Sequence, residues 1–191
     1  GGRSLSESLG KDIPDNKPIG ESWELSDHPN GRSTVANGAL AGKEFGEVLR
    51  QYPVQMMNRE TVPDRYPLLV KFISAEDDLS IQVHPEDTYA AKLNDRGKTE
   101  CWYVMDTRPE TEIIFGLEEG VTKEQLREGA ETGEIEKQVA RHPVQKDDFL
   151  FVRAGTVHAI LGGTLICEIQ QSSDTTFRLW DWNRKDRKSV V

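Results

Sequence analysis

The sequence predicts a mainly β fold, a barrel or sandwich with short helices on one flank. Three observations carry this expectation. Short runs rich in Val, Ile, Leu, Phe and Trp recur along the chain, broken by Gly, Pro, Asn and Asp. Helical spacing is confined to brief stretches, chiefly a charged excursion over residues 117–141. From Val144 to Trp182 the chain then returns to strand-like runs.

In chain order, residues 1–35 are rich in Gly, Pro, Asp and Asn and read as loops around one short strand from Trp23 to Leu25. Between Lys43 and Tyr52, the residues Phe45, Val48 and Leu49 recur at helical spacing and predict a short amphipathic helix. Leu68 to Ile73 and Leu79 to His84 read as strands joined by the acidic turn Ala75-Glu76-Asp77-Asp78. Pro85 ends the second strand, and Asp87 to Leu93 reads as one or two helical turns. Cys101 to Met105 and Glu112 to Phe115 read as a strand pair around the turn from Thr107 to Glu110. Thr122-Lys123-Glu124-Gln125 has the form of a capping box, in which hydroxyl and amide side chains satisfy each other's backbone N–H groups. Ile135 to Val139 suggests a second, weaker helix. Phe149 to Val152, His158 to Leu161, Leu165 to Gln171 and Thr175 to Trp182 complete the strands. There is no internal repeat and no low-complexity tract.

With 191 residues, 36% hydrophobic and 30% charged, the chain reads as one globular domain over 1–191. No apolar run approaches membrane-spanning length, and Gly1-Gly2-Arg3-Ser4 has no signal-peptide core. A formal charge of −9 argues against a nucleic-acid surface, and means that any anionic substrate is drawn in by local cations. The two cysteines, Cys101 and Cys167, sit far apart in apolar strand patterns. They read as buried free thiols of a cytoplasmic protein.

Candidate functional residues come from three polar clusters set into apolar sequence. In Leu79-Ser80-Ile81-Gln82-Val83-His84-Pro85 the apolar residues alternate with Ser80, Gln82 and His84, so amide and imidazole project from one face of a strand. A solvated face would more ordinarily carry Lys and Glu. Gly97-Lys98-Thr99-Glu100 runs into Cys101-Trp102-Tyr103-Val104, which marks Glu100 as a charge entering the core. The third cluster is Ala154-Gly155-Thr156-Val157-His158-Ala159. Gln82, His84, Glu100 and His158 form a mixed N/O donor set suited to a divalent first-row metal such as zinc. Gln82 is the weakest of the four, and its alternative role is to orient His84. His28 and His142 stand beside prolines in loop-like sequence and read as surface residues.

The order and wording of these clusters resemble type I phosphomannose isomerase, a zinc-dependent family built on cupin barrels. The resemblance takes in Lys17-Pro-Ile-Gly-Glu21-Ser-Trp-Glu-Leu-Ser26, His28-Pro-Asn-Gly31, Leu79 to Pro85, Lys98 to Tyr103, Ala154 to Ala159, and the run from Glu168 to Arg178. It implies a cupin-type jelly-roll barrel and one zinc ion on His84, Glu100 and His158 with Gln82. It further implies a small phosphorylated sugar bound near Ser80, Glu21 and Lys98, and a catalytic Arg178. Lys98 and Glu21 are by resemblance the candidates for proton transfer. Arg153 stands where a proline commonly precedes the Ala-Gly turn, a change expected to reduce rigidity rather than alter chemistry. In the resembled family, Gly1-Gly2 would follow an N-terminal strand, and Asp181 to Arg184 would lead into a second, smaller β domain. The chain is therefore expected to be a truncated form.

The implied reaction, aldose–ketose isomerisation through a cis-enediol, needs a proton shuttle and a stabilised oxyanion. Arg178, within the apolar run Phe177-Arg178-Leu179-Trp180, suits the second need; its alternative is a salt bridge to Asp174 or Asp181. Two other functions fit the same clusters. One is a cupin sugar-binding or regulatory module without turnover, and the other a metal-dependent cupin dioxygenase using a two-histidine, one-carboxylate site. The run through Arg178 favours the isomerase.

Overall fold

The computed structural model describes residues 2–14 and 18–184. Gly1, Lys17 at the head of the early segment and the tail 185–191 lie outside the described residues. In order, the elements are α1 (Arg3–Glu7), β1 (Glu21–Leu25), β2 (Asp27–His28), β3 (Gly31–Arg32), α2 (Phe45–Gln51), α3 (Pro53–Met57), β4 (Leu68–Ala75) and β5 (Ile81–Val83). Then come α4 (Asp87–Ala90) with a 3-10 turn Ala91–Leu93, β6 (Glu100–Thr107), β7 (Glu112–Leu117), α5 (Lys123–Thr132) and a 3-10 turn Glu134–Lys137. The chain closes with β8 (Val139–Pro143), β9 (Phe149–Val152), β10 (His158–Ile160), β11 (Thr164–Gln171) and β12 (Phe177–Trp180).

Ten of the twelve strands among the described residues form two five-stranded sheets, in the orders β1-β4-β11-β6-β9 and β12-β5-β10-β7-β8, with antiparallel neighbours, and β2 and β3 pair with each other. Ile73, Trp102, Val104, Val152 and Ile166 of the first sheet pack on Ile113 and Ile160 of the second. The sheets thus face each other in a jelly-roll sandwich, hydrogen-bonded within each sheet. A second core lies on the far side of the β12-β5-β10-β7-β8 sheet. There Ile81, Ile114 and Ala159 meet Ile135 and Val139, with Leu126 and Ala130 of α5 packed over them. The helical excursion is therefore a cover for one sheet. No helix is long and apolar enough to cross a membrane among the described residues.

Several local expectations hold in detail. The capping box forms in both directions: Gln125 N donates to Thr122 Oγ1 at 3.2 Å, and Thr122 N donates to Gln125 Oε1 at 2.8 Å. The strand at Phe149–Val152 and the helical turns at 87–93 lie where the pattern puts them.

Other expectations are corrected. β6 and β7 do not pair with each other; the turn between them carries the chain from one sheet to the other, and β6 pairs with β9 and β11. A short polar turn between apolar runs is equally compatible with a hairpin and with a crossing of the sandwich. The expected second helix at Ile135 to Val139 is a 3-10 turn, with Val139 opening β8 against β7. Helices also form at α1 and α3, outside the expected ranges; α3 begins with Pro53, whose fixed φ and missing N–H suit a first helical position. His28 is buried, lying edge-on to Trp23 with centroids 6.0 Å apart, whereas His142 is exposed. Cys101 and Cys167 are free but only half-buried, on the outer face of the first sheet.

Candidate metal centre

Two neighbouring sheets and one loop deliver the site. Opposed residues of antiparallel strands share a face. Pairing Arg178 with Gln82, Gln82 with His158, and His158 with Phe115 puts these side chains in one row across β12, β5, β10 and β7. On the facing sheet, Lys71 of β4, Glu168 of β11 and Trp102 of β6 form a second row. Glu100, opposite Gln170, lies one step along that face.

Turns set the remaining positions. Gly97 N donates to Asp87 Oδ1 at 2.8 Å, and a Cβ there would meet Asp87 N at 2.6 Å, so the close approach needs glycine. The next residue, Lys98, donates its N–H to Pro85 O at 3.0 Å and so lies beside His84. Gly155, at φ +85°, donates its N–H to His84 O at 2.8 Å, tying the Ala154-Gly155 turn to the same histidine. That turn closes without the proline, Thr156 N donating to Arg153 O at 3.1 Å.

His84, Glu100 and His158 converge with one donor atom each, all within 4.8 Å of one another and all buried. His84 Nε2 lies 3.2 Å from His158 Nε2 and 3.5 Å from Glu100 Oε2, and His158 Nε2 is 3.4 Å from Glu100 Oε1. The Gln82 amide nitrogen is 3.4 Å from His158 Nε2, with Ser80 Oγ donating to Gln82 Oε1 at 3.3 Å. Amide N and O are exchangeable by a simple flip, which turns the carbonyl oxygen toward the histidines and the NH2 toward Ser80. For bonds of about 2.0–2.1 Å, a tetrahedral ion needs ligand atoms about 3.3–3.4 Å apart. The 3.2 Å between the two imidazole nitrogens is close to that requirement, while Glu100 faces the two histidines with different oxygens, one donor atom from each of the three residues falling within 4.8 Å of the others.

The tautomers strengthen the case for a cation. His84 Nδ1–H donates to Thr175 O at 3.2 Å, and His158 Nδ1–H donates to Thr156 O at 2.8 Å. Both Nε2 atoms therefore present lone pairs to the same point, and neither can donate to the other. Burial, then the neighbouring Lys98 ammonium, holds His84 well below the ordinary imidazole value; burial likewise lowers His158 to about 4. Two neutral imidazoles with facing lone pairs are able to serve as metal ligands.

Around them lies a charged network. Lys98 Nζ is 2.9 Å from His84 Nε2, 2.8 Å from Glu100 Oε2 and 4.0 Å from Glu168 Oε1. The one lone pair of His84 Nε2 serves either this ammonium or a metal, but not both at once. Lys71 Nζ bridges Glu168 Oε1 at 3.0 Å and Glu21 Oε2 at 3.3 Å. Trp102 Nε1–H points between two carboxylates, 3.0 Å from both Glu100 Oε1 and Glu168 Oε2. Burial and the Glu168 carboxylate push Glu100 up to about 7; Glu168 is itself opposed by burial, but Lys71 and Lys98 hold it below its ordinary value.

Each residue picked from the sequence can now be placed. Ser80, Gln82, His84, Lys98, Glu100 and His158 come together. Lys98 is 5% exposed, so it is no surface lysine. Glu21 sits at the rim, its side chain 48% exposed and paired to Lys71. Arg178 shares the face of Gln82, and its Nε has no hydrogen-bond partner among the described residues; Asp181 pairs instead with Arg184, and Asp174 with Asn30. Lys71 and Glu168 are additions of the structure. Their signal was a lone charge within each of two apolar strands.

A family model described as phosphomannose isomerase type I, catalytic domain, matches residues 1–122. The chain belongs to the type I phosphomannose isomerase family. Mannose-6-phosphate isomerase ManA of Bacillus subtilis is 43% identical over 193 residues, covering all of this chain and 60% of the relative. Mannose-6-phosphate isomerase of Streptococcus mutans is 42% identical over 187 residues, covering 97% of this chain and 58% of the relative. The crystal structure of the mannose 6-phosphate isomerase from Bacillus subtilis superposes with a TM-score of 0.90 at 38% identity, over 99% of this chain and 61% of that one. The chain thus spans about three-fifths of the length of these members of the phosphomannose isomerase family.

Proposed function

We propose that this chain holds one zinc ion on His84, Glu100 and His158, with the Gln82 amide completing the set, and interconverts mannose 6-phosphate and fructose 6-phosphate. The observation that carries the reading is the pair of facing Nε2 lone pairs, 3.2 Å apart beside a buried carboxylate, in a member of this family. When bound, the ion would polarise and orient the sugar oxygens.

The chain's own residues supply the rest. Glu21, Glu100 and Glu168 offset Lys71, Lys98 and Arg178 charge for charge, so a divalent cation would leave the site locally positive in a chain of net charge −9. That local excess suits a phosphorylated sugar. Ser80, buried beside Gln82, offers a hydroxyl to the substrate. Arg178 contributes a fixed guanidinium near the developing enediolate, where exclusion of water magnifies its effect. Glu168 and Lys98, an ionised carboxylate and an ammonium in a dry setting, are the groups placed to receive and return the migrating proton. Glu21 acts at the rim through Lys71. The free thiols of Cys101 and Cys167 support a reducing, cytoplasmic setting.

Elemental analysis with a coupled assay for conversion of mannose 6-phosphate tests the proposal. One divalent ion per chain and chelator-sensitive turnover are expected. Turnover that persists after complete removal of metal overturns it.

A further inference from the structure

Asp95 lies outside every motif that marks the metal centre, yet it joins two segments that build it. It follows the 3-10 turn Ala91–Leu93 and the left-handed Asn94, and its own N–H donates to Ala90 O at 3.1 Å. Three residues later the same loop delivers Lys98. The Asp95 carboxylate is mostly buried, and Arg65 fixes one oxygen at 3.1 Å. The other oxygen, Oδ2, accepts from Ser173 Oγ at 2.7 Å and from Thr175 Oγ1 at 2.6 Å.

These hydroxyls belong to the turn between β11 and β12. Ser173 Oγ in turn accepts from Thr175 N at 3.2 Å, and Gln170 Nε2 donates to Ser173 O at 2.6 Å. The turn presents Thr175 O to His84 Nδ1 at 3.2 Å, then leads into Arg178. A carbonyl there decides which nitrogen of His84 carries the proton and which carries the lone pair.

We infer that Asp95 is a positioning residue for the metal centre: by holding Thr175 through its hydroxyl, it aims the Thr175 carbonyl that sets the tautomer and ring plane of His84. The inference rests on the metal reading above. It concerns a carboxylate whose side-chain hydrogen bonds go to Arg65, Ser173 and Thr175, none of them a proposed ligand.

The test measures zinc affinity by chelator competition and the visible spectrum of the cobalt-substituted chain, for the parent and for Asp95→Ala, Thr175→Val and Thr175→Ser. Thr175→Val keeps the branched shape and removes the hydroxyl; Thr175→Ser keeps the hydroxyl. Asp95→Ala and Thr175→Val are expected to weaken zinc binding by roughly 10–100-fold with a shifted cobalt spectrum, and Thr175→Ser to bind as the parent does. Thr175→Val binding zinc within about twofold of the parent, with an unchanged spectrum, overturns the inference. Should Asp95→Ala fail to fold, the comparison of Thr175→Val with Thr175→Ser decides alone. A parent chain that binds no zinc overturns the metal reading itself, and the inference with it.

Discussion

Lys71 Nζ lies 3.0 Å from Glu168 Oε1 across the β4–β11 ladder, with Glu168 buried and the Lys71 side chain 11% exposed. Burial opposes the charge on Lys71, but Glu168 and Glu21 outweigh it and hold the ammonium above its ordinary value. Removing one partner of such a pair leaves a buried charge uncompensated. Lys71→Met is therefore expected to destabilise the fold by about 3–5 kcal/mol, and Lys71→Met combined with Glu168→Leu to recover most of that loss. Denaturant unfolding checks both. A double variant no more stable than Lys71→Met would show that the pair is not the source of the effect.

His158→Ala should lose metal and activity together. It removes one of the three proposed ligands and leaves His84 and Glu100 without a third strong donor. Zinc content after dialysis and turnover, measured on the same sample, check this; full zinc content in the variant would remove His158 from the ligand set.

Arg178 should behave in the opposite way. It shares a face with Gln82 but lies outside the His84, Glu100 and His158 cluster. Arg178→Ala is expected to keep its zinc while kcat falls by roughly 10²–10³-fold, the usual consequence of losing one electrostatic contact to developing charge. Arg178→Lys should restore little, because an ammonium cannot reproduce the planar donor fork. Steady-state kinetics with metal analysis separate the two roles, and near-full activity in Arg178→Ala would rule out the assignment.

Stability of the metal-free chain should fall as pH is lowered. His84 and His158 are both held below the ordinary 6.5, His158 at about 4, whereas Glu100 is raised from 4.5 to about 7. Between pH 4.5 and 6.5 the unfolded chain takes up two protons on imidazoles that the folded chain refuses. The folded chain keeps one proton on Glu100 that the unfolded chain has lost. Two minus one leaves the unfolded state with the greater proton uptake, so acid favours it. Asp95 is opposed by burial, but hydrogen bonds led by Thr175 and Ser173 lower it to about 2, adding the same sign at lower pH. The melting temperature of the metal-free chain should decline from pH 7 to pH 4.5; a flat or rising profile would contradict this balance.

What could be read from the sequence was local. Alternation forces Ser80, Gln82 and His84 onto one face whatever the rest of the fold does, and the Thr122–Gln125 capping box closes within one helical turn. The Lys71–Glu168 pair escaped because it depends on strand register between residues far apart in sequence, which a lone charge in an apolar run does not reveal. The β6–β7 turn departs from the expected strand pair for a related reason: turn chemistry does not say which sheet receives the next strand. The proline beside His28 predicts a surface residue. The histidine is buried, with Trp23 beside it and its Nδ1 accepting from Asn30 N at 3.2 Å.

The central claim, that this metal centre isomerises a phosphorylated sugar through an enediol, is tested most directly by NMR in deuterated water. The zinc-loaded chain would be mixed with mannose 6-phosphate. The account predicts fructose 6-phosphate that carries deuterium at C1, formed by the parent and by neither the chelated chain nor His158→Ala. A parent chain that holds one zinc ion per molecule on His84, Glu100 and His158, yet forms no fructose 6-phosphate, would contradict it.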